Sequence, residues 1–124
     1  MNRNELENRL ISYAVTMIKV SGKIDKTGVG KILANQLYRS GTSPALNYAE
    51  AQGAESKRDF IHKIKVTLKE LRESHVTLRI ISKSGLLRKE ALEDAMQESN
   101  ELVSIFVKIS KTSDANLARE ISRK

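Results

Sequence analysis

The chain of 124 residues has the length of one ordinary domain, and its 40% hydrophobic and 30% charged residues are typical of a globular protein with a core. It contains no Cys, which excludes disulfides, thiolate metal sites and a cysteine nucleophile, and it has no apolar run of the roughly 20 residues that a membrane-spanning helix needs. The formal charge of +7 favours polyanionic partners, while the lack of Cys and of an export signal favours the cytoplasm.

The first amphipathic helix is predicted between residues 4 and 20. Its apolar residues recur at steps of three and four, which places them on one helical face: Leu6, Leu10, Tyr13, Met17 and Val20. Asn4 is the predicted N-cap, and Ser21 with Gly22 provides the stop.

The second helix contains the only proline of the chain. It is predicted to use Thr27 as N-cap and to bury four residues: Val29, Leu33, Leu37 and Ser40. Proline lacks an amide donor and clashes with the preceding turn, so a kink is expected near Pro44, with helix resuming to about Gln52. A break into two short helices is the alternative.

The third helix has the clearest periodicity. Ser56 is its predicted N-cap, and Ser84 with Gly85 ends it. Its predicted core stripe consists of six residues: Phe60, Ile64, Leu68, Leu71, Leu78 and Ile81.

A fourth helix is predicted from about Lys89 to Lys111. It is expected to bury Leu92, Met96, Val103, Phe106 and Ile109. It is expected to expose its carboxylates: Glu90, Glu93, Asp94, Glu98 and Glu101. Short connections between these helices predict an all-α fold, an antiparallel up-and-down four-helix bundle over residues 1–111. Residues 112–124 have weaker periodicity and are expected to form a C-terminal tail, either frayed or a helical extension.

A mainly basic row on the third helix is the most informative surface feature. Its members follow one another at steps of three and four residues: Arg58, His62, Lys65, Lys69, Arg72, Val76, Arg79 and Lys83. The row is offset by two positions from the core stripe, a rotation of about 200°, so it is expected to face outward. It could follow the phosphates of a nucleic acid, or it could be a solvated face that keeps the protein in solution. The fourth helix is net acidic, whereas the second and third helices are net basic. This charge asymmetry favours a functional role for the basic row, although it could equally serve subunit contacts.

The sequence shows no catalytic or metal-binding constellation. Asp59 and His62 have the spacing of half a di-metal motif, but no second such pair exists, and chance explains them. His75 lies beside the core stripe and is expected to be a hydrogen-bonded structural histidine. Phosphate loops and nucleophile elbows are absent, so no enzymatic activity, metal, cofactor or small-molecule substrate is predicted.

Three segments carry a resemblance to a known family. Residues 36–50 read QLYRSGTSPALNYAE, residues 56–60 combine Ser56 with Asp59 and Phe60, and residues 67–71 read TLKEL. In order and spacing these resemble the Gln-Leu-x-Arg…Asn-x-Ala-Glu, Ser-x-x-(Glu/Asp)-Phe and Ser-Leu-x-Glu-Leu elements of the bacterial ribosomal-RNA intervening-sequence family of four-helix-bundle proteins. The resemblance extends from about residue 4 to residue 109.

This chain also departs from that family pattern. The family usually has Gly after Asn-x-Ala-Glu and Arg three residues later, where this chain has Ala51 and Ala54, so a ligand surface shaped by those residues would be altered. Asn47 and Glu50 form the best-matched polar pair. They are expected to hydrogen-bond within the bundle or across a subunit interface, which is a structural use.

The resemblance implies self-association and leaves two functions open. The accessory protein of diversity-generating retroelements is similar, and it is a five-fold barrel whose basic surface contacts nucleic acid and a reverse transcriptase, so a homopentamer is expected. The first hypothesis is an adaptor that binds RNA or DNA through phosphate contacts from Arg58, Lys65, Lys69, Arg72, Arg79 and Lys83. The second is a protein-interaction scaffold, for example for a reverse transcriptase, with no nucleic-acid role.

Overall fold

Four α-helices account for nearly all of the computed structural model, which describes residues 1–123. Their bounds are Arg3–Lys23 (α1), Val29–Gln52 (α2), Lys57–Ser84 (α3) and Glu93–Ser122 (α4). A 3-10 turn, Lys89–Ala91, precedes α4, and the described residues contain no strand. No helix among them combines the length and the apolarity needed to cross a membrane.

The helices pack around one aliphatic core, as expected of a four-helix bundle. Every predicted core residue of the first helix is buried, and so are Leu33, Leu37 and Ser40 of the second. Two aromatic side chains complete this core: the rings of Tyr48 on α2 and Phe106 on α4 meet edge to face, with centroids 5.5 Å apart. An aliphatic core at helical spacing is therefore confirmed.

Side-chain contacts connect the start of one helix with the end of its neighbour. Arg3 at the start of α1 donates to Gln52 at the end of α2, across 3.3 Å. Likewise Glu50 of α2 pairs with Lys63 of α3 at 3.0 Å. Such pairs are what short connections between packed helices produce.

The start of α2 differs from the prediction. Its N-cap is Gly28 at φ +54°, not Thr27, and Val29 is 64% exposed whereas Gly30 is buried. A Cβ on Gly30 would lie 2.0 Å from the carbonyl oxygen of Asp25, so the tight α1–α2 turn leaves room only for glycine there. This turn places Gly30, and not Val29, on the inward face of α2. The prediction that Val29 is buried is therefore wrong.

α2 passes through Pro44 without interruption. The helix extends from Val29 to Gln52 and Pro44 is buried, so the alternative of two short helices is wrong. A kink at Pro44 stays a prediction. Nearby, Gly41 allows a close approach to α1, because a Cβ at this position would lie 2.2 Å from Cγ of Met17.

Side chains cap the N-terminal ends of α1 and α3, and of these two helices only α3 ends at a glycine. α1 continues to Lys23, so the predicted stop at Ser21 and Gly22 is wrong. On α1 the N-cap is Asn2, whose side chain accepts from the amide of Glu5, so the predicted cap at Asn4 is wrong by two residues. The predicted cap of α3 is confirmed: Ser56 Oγ accepts from the amide of Asp59 at 3.0 Å. Gly85 ends α3 as predicted, at φ +78°.

α4 is longer than predicted and is rotated relative to the predicted face. It continues to Ser122, so residues 112–122 are a helical extension of α4; the last residue of the predicted tail lies outside the described residues. Met96, Val103 and Ile109 are only partly buried. Small or polar residues share the inner positions with Leu102 and Phe106, namely Ala95, Ser99 and Ser110.

Candidate nucleic-acid interface

The basic row of α3 lies on the outer surface of the bundle. All eight of its positions are exposed: Arg58, His62, Lys65, Lys69, Arg72, Val76, Arg79 and Lys83. Because α3 is one continuous helix rising about 1.5 Å per residue, the row is about 37 Å long. The prediction that it faces away from the core is confirmed.

Most cations of the basic row have no ion-pair partner within the described residues. Lys65 is the exception, with Nζ 3.1 Å from Oδ2 of Asp114 on α4. No carboxylate of residues 1–123 lies within 4.0 Å of the remaining lysines and arginines of the row: Arg58, Lys69, Arg72, Arg79 and Lys83. The row therefore presents a line of positive charges that the described residues leave uncompensated at short range.

Two carboxylates of α3 are directed toward α2 instead. Arg39 of α2 reaches Glu73 at 2.9 Å and Glu70 at 3.4 Å. Burial, with a smaller contribution from the neighbouring charge of Glu73, raises the pKa of Glu70. The negative charges on this part of α3 are thus partly neutralised by a residue that does not belong to the basic row.

The basic row changes character toward its C-terminal end. Val76 and Ile80 are 49% and 46% exposed, and with Arg79, Lys83 and Ser84 they line an open groove of about 500 Å³. Between Arg58 and Arg72, by contrast, each position of the row is a lysine, an arginine or a histidine. A line that served only phosphates would not need exposed aliphatic side chains at one end.

Asn47 and Glu50 are not bonded to each other. The Asn47 amide donates to the carbonyl oxygen of Ser43 at 3.0 Å and to Ser43 Oγ at 2.8 Å, within α2. Glu50 is exposed and pairs with Lys63, which links α2 to α3. In this chain both residues are engaged inside one protomer, and their use at a subunit interface stays a prediction.

The part of the chain that the structure describes forms no candidate metal centre. It holds no group of three or more His, Cys, Asp or Glu side chains that could bind an ion. The Asp59 carboxylate accepts from the amide of Glu55 at 3.3 Å and therefore helps to cap α3, while His62 is exposed as predicted.

Comparison with known proteins assigns the family. Residues 4–108 match the family model of the 23S rRNA-intervening sequence protein. The chain belongs to this family. No curated protein matches it.

The fold of this intervening-sequence family member is shared by a solved structure. That structure is a protein of unknown function from the S23 ribosomal protein family of Bacteroides thetaiotaomicron, with a TM-score of 0.79 and 27% sequence identity. The match covers 90% of this chain and 99% of the other. The resemblance identified from the sequence is therefore confirmed for the family and the fold.

The C-terminal part of α4 lies beyond the matched segment of the intervening-sequence family. It supplies Asp114 to Lys65 and Glu120 to Lys57, the latter at 2.6 Å. Lys65 and Lys57 are therefore paired with carboxylates that lie outside the matched residues.

A polar cluster, buried at Tyr13 and partly buried at His75, joins α1, α3 and α4. Tyr13 Oη lies 2.7 Å from Ser74 Oγ, and His75 Nδ1 lies 2.6 Å from Ser99 Oγ. Burial raises the pKa of Tyr13 to about 12, so the phenol stays neutral. Burial, and then the positive charge of Arg79, lowers the pKa of His75. The predicted structural role of His75 is confirmed. Ser74 and Ser99 are not predicted from the sequence, because the core residues of the third and fourth helices were identified from apolar residues alone.

His75 is expected to make the fold less stable as the pH falls below about 6.5. Since its pKa is lower in the folded chain than in the unfolded one, the unfolded chain binds more protons there, and stability falls with pH down to the folded pKa. His75→Asn removes the titration and keeps an amide donor for Ser99. Between pH 7.5 and pH 5.5, the melting temperature should fall further for the wild type than for the variant. Equal falls would contradict the assignment of this pH dependence to His75.

Proposed function

We propose that this family member is a non-enzymatic, oligomeric adaptor of the cytoplasm that binds the backbone of RNA or DNA through the basic row. The observation that carries the proposal is a line of cations on one exposed helical face that have no ion-pair partner among residues 1–123: Arg58, Lys69, Arg72, Arg79 and Lys83. Lys65, the remaining lysine of the row, would have to leave Asp114 to join them.

The chemistry of the row suits phosphates better than bases. Lysine and arginine bind phosphate oxygens by charge and hydrogen bonding, and each contact releases counterions, so affinity falls steeply with salt. The row contains no Phe, Tyr or Trp on which a base could stack, and His62 is its single aromatic ring. Binding is therefore tolerant of sequence and selective mainly for charge density and backbone geometry.

Self-association strengthens such binding, and the α1 surface supports it. Ile11, Val15 and Ile18 are each between 45% and 48% exposed and follow one another at helical spacing on the outside of α1. A homopentamer, the state that the sequence resemblance implies, would bury such a face and present five basic rows to one polyanion. Avidity then turns weak contacts into stable binding.

Titration of a fluorescent structured RNA with the purified protein, followed by anisotropy, tests the adaptor. We expect submicromolar affinity at about 50 mM salt that weakens by orders of magnitude at about 200 mM. An unrelated helical bundle of the same net charge is the control. Binding no tighter than this control would refute the adaptor and leave the protein scaffold, which the apolar end of the basic row favours.

A further inference from the structure

The C-terminal end of the basic row combines apolar surface with positive charge. Its groove of about 500 Å³ has Val76 and Ile80 as apolar members and Arg79, Lys83 and Ser84 as polar ones. A second groove of about 290 Å³ shares Arg79 and Lys83 and adds Ser82, Lys89 and Met96. Arg79 and Lys83 therefore lie between the two grooves. Each groove is also lined by an aliphatic or a thioether side chain.

Neither groove is lined by a carboxylate. Arg79 and Lys83 have no ion-pair partner among residues 1–123. A ligand that fits must therefore bring both apolar surface, to cover Val76 and Ile80, and negative charge, to meet the cations. Nucleic acid supplies the charge, but its aliphatic surface is limited to sugar C–H groups and thymine methyl groups and matches these branched side chains less well than a protein helix does.

We propose that this end of α3 is a docking site for an acidic amphipathic helix of a protein partner. Such a helix has apolar residues at i, i+3, i+4 and i+7 and Asp or Glu on the flanks of that stripe. Its apolar stripe covers Val76 and Ile80, and its carboxylates pair with Arg79 and Lys83. A bound helix takes Arg79 and Lys83 away from the phosphate contacts of the proposed function, while the cationic part of the row from Arg58 to Arg72 stays free for a polyanion, so α3 serves two partners.

A synthetic peptide tests the docking site without knowledge of the natural partner. The probe is a fluorescein-labelled helical peptide of about 18 residues with a leucine stripe flanked by glutamates. We expect anisotropy to give a dissociation constant below about 100 µM for this peptide. No measurable binding is expected for a peptide of the same composition in scrambled order. The proposal would be overturned if both peptides bound equally well, or if neither peptide bound.

Two matched double variants locate the site. Val76→Ser with Ile80→Ser removes the apolar side chains of the groove, and Val29→Ser with Ile32→Ser removes the same two residue types from exposed positions of α2, where they are 64% and 58% exposed. The first pair is expected to weaken peptide binding at least about tenfold, and the second to leave it unchanged. Both variants are at exposed positions, and circular dichroism checks that they fold.

The same variants separate this proposal from the adaptor function. If Val76→Ser with Ile80→Ser weakens RNA binding and not peptide binding, the groove belongs to the nucleic-acid surface. If it turns an oligomer into a monomer in light scattering, a second copy of the chain covers the groove. Either result overturns the docking site, whereas failure of RNA binding alone would refute only the adaptor.

Discussion

Replacing Arg58, Lys69 and Arg72 together by Gln is expected to weaken binding to a structured RNA by about 30- to 100-fold at about 50 mM salt. These residues are exposed and unpaired among the described residues, so each is free to neutralise a phosphate. If all of them do so, the slope of log K against log salt falls by about two to three units. In an oligomer the loss is repeated in every subunit, which makes this the largest effect that we predict on binding.

The matched control has the same charge change at a different place. Lys19, Lys31 and Lys108 are exposed and have no ion pair among residues 1–123, and none of them lies on α3. Replacing these three by Gln also lowers the formal charge from +7 to +4. A loss of less than about threefold is expected, because only long-range attraction is reduced. Equal losses in the two triple variants would show that net charge, and not the basic row, governs binding.

The bundle could be predicted from the sequence because each helix repeats its apolar residues at helical spacing. α1 shows the limit of this reasoning. It has one apolar series that is buried, from Leu6 to Val20, and a second, Ile11, Val15 and Ile18, that remains exposed. Periodicity identifies the series that is buried, but it does not show that the other series is left uncovered by the remaining helices of the protomer. That fact needed the packed structure.

The basic row could also be predicted, since outward placement follows from its offset relative to the core stripe. The ion pairs that neutralise charges on the surface of the bundle could not be predicted. Arg9 of α1 binds Glu98 of α4 through two hydrogen bonds of 2.6 and 2.7 Å, and it reaches Glu101 as well. These contacts raise the pKa of Arg9 and neutralise part of the acidic face of α4. Pairs so distant in sequence, such as Lys65 with Asp114, depend on the tertiary fold.

Buried glycines mark the other failure of sequence reasoning. Gly30 and Gly41 have no side chain to count in a hydrophobic pattern, yet each fixes the distance between α2 and its surroundings. The stretch around Gly41 and Pro44 was interpreted as a site of kinking. The structure adds a packing role, because Gly41 faces the fully buried Met17 of α1.

Gly41→Ala is accordingly expected to destabilise the bundle by about 1 to 3 kcal/mol, although alanine favours helix over glycine by about 1 kcal/mol. The new Cβ would lie 2.2 Å from Cγ and 2.4 Å from Cβ of Met17, and the Cβ of Met17 cannot move away without its helix. At about 3 to 5 °C per kcal/mol for a domain of this size, the melting temperature should fall by roughly 3 to 15 °C.

Gly22→Ala is the matched control for this substitution, since it adds the same methyl group to a helical glycine in open space. No atom lies within 4 Å of the added Cβ, so helix propensity acts alone and the melting temperature should stay constant or rise slightly. A double variant tests the cause directly. Met17→Ala removes the Cγ and Sδ atoms and leaves only the contact with the Cβ of residue 17, so the cost of Gly41→Ala should shrink in part in that background, with a coupling of about 1 kcal/mol. Simple additivity of the two changes would mean that α1 and α2 do not meet at Gly41 as closely as this packing requires.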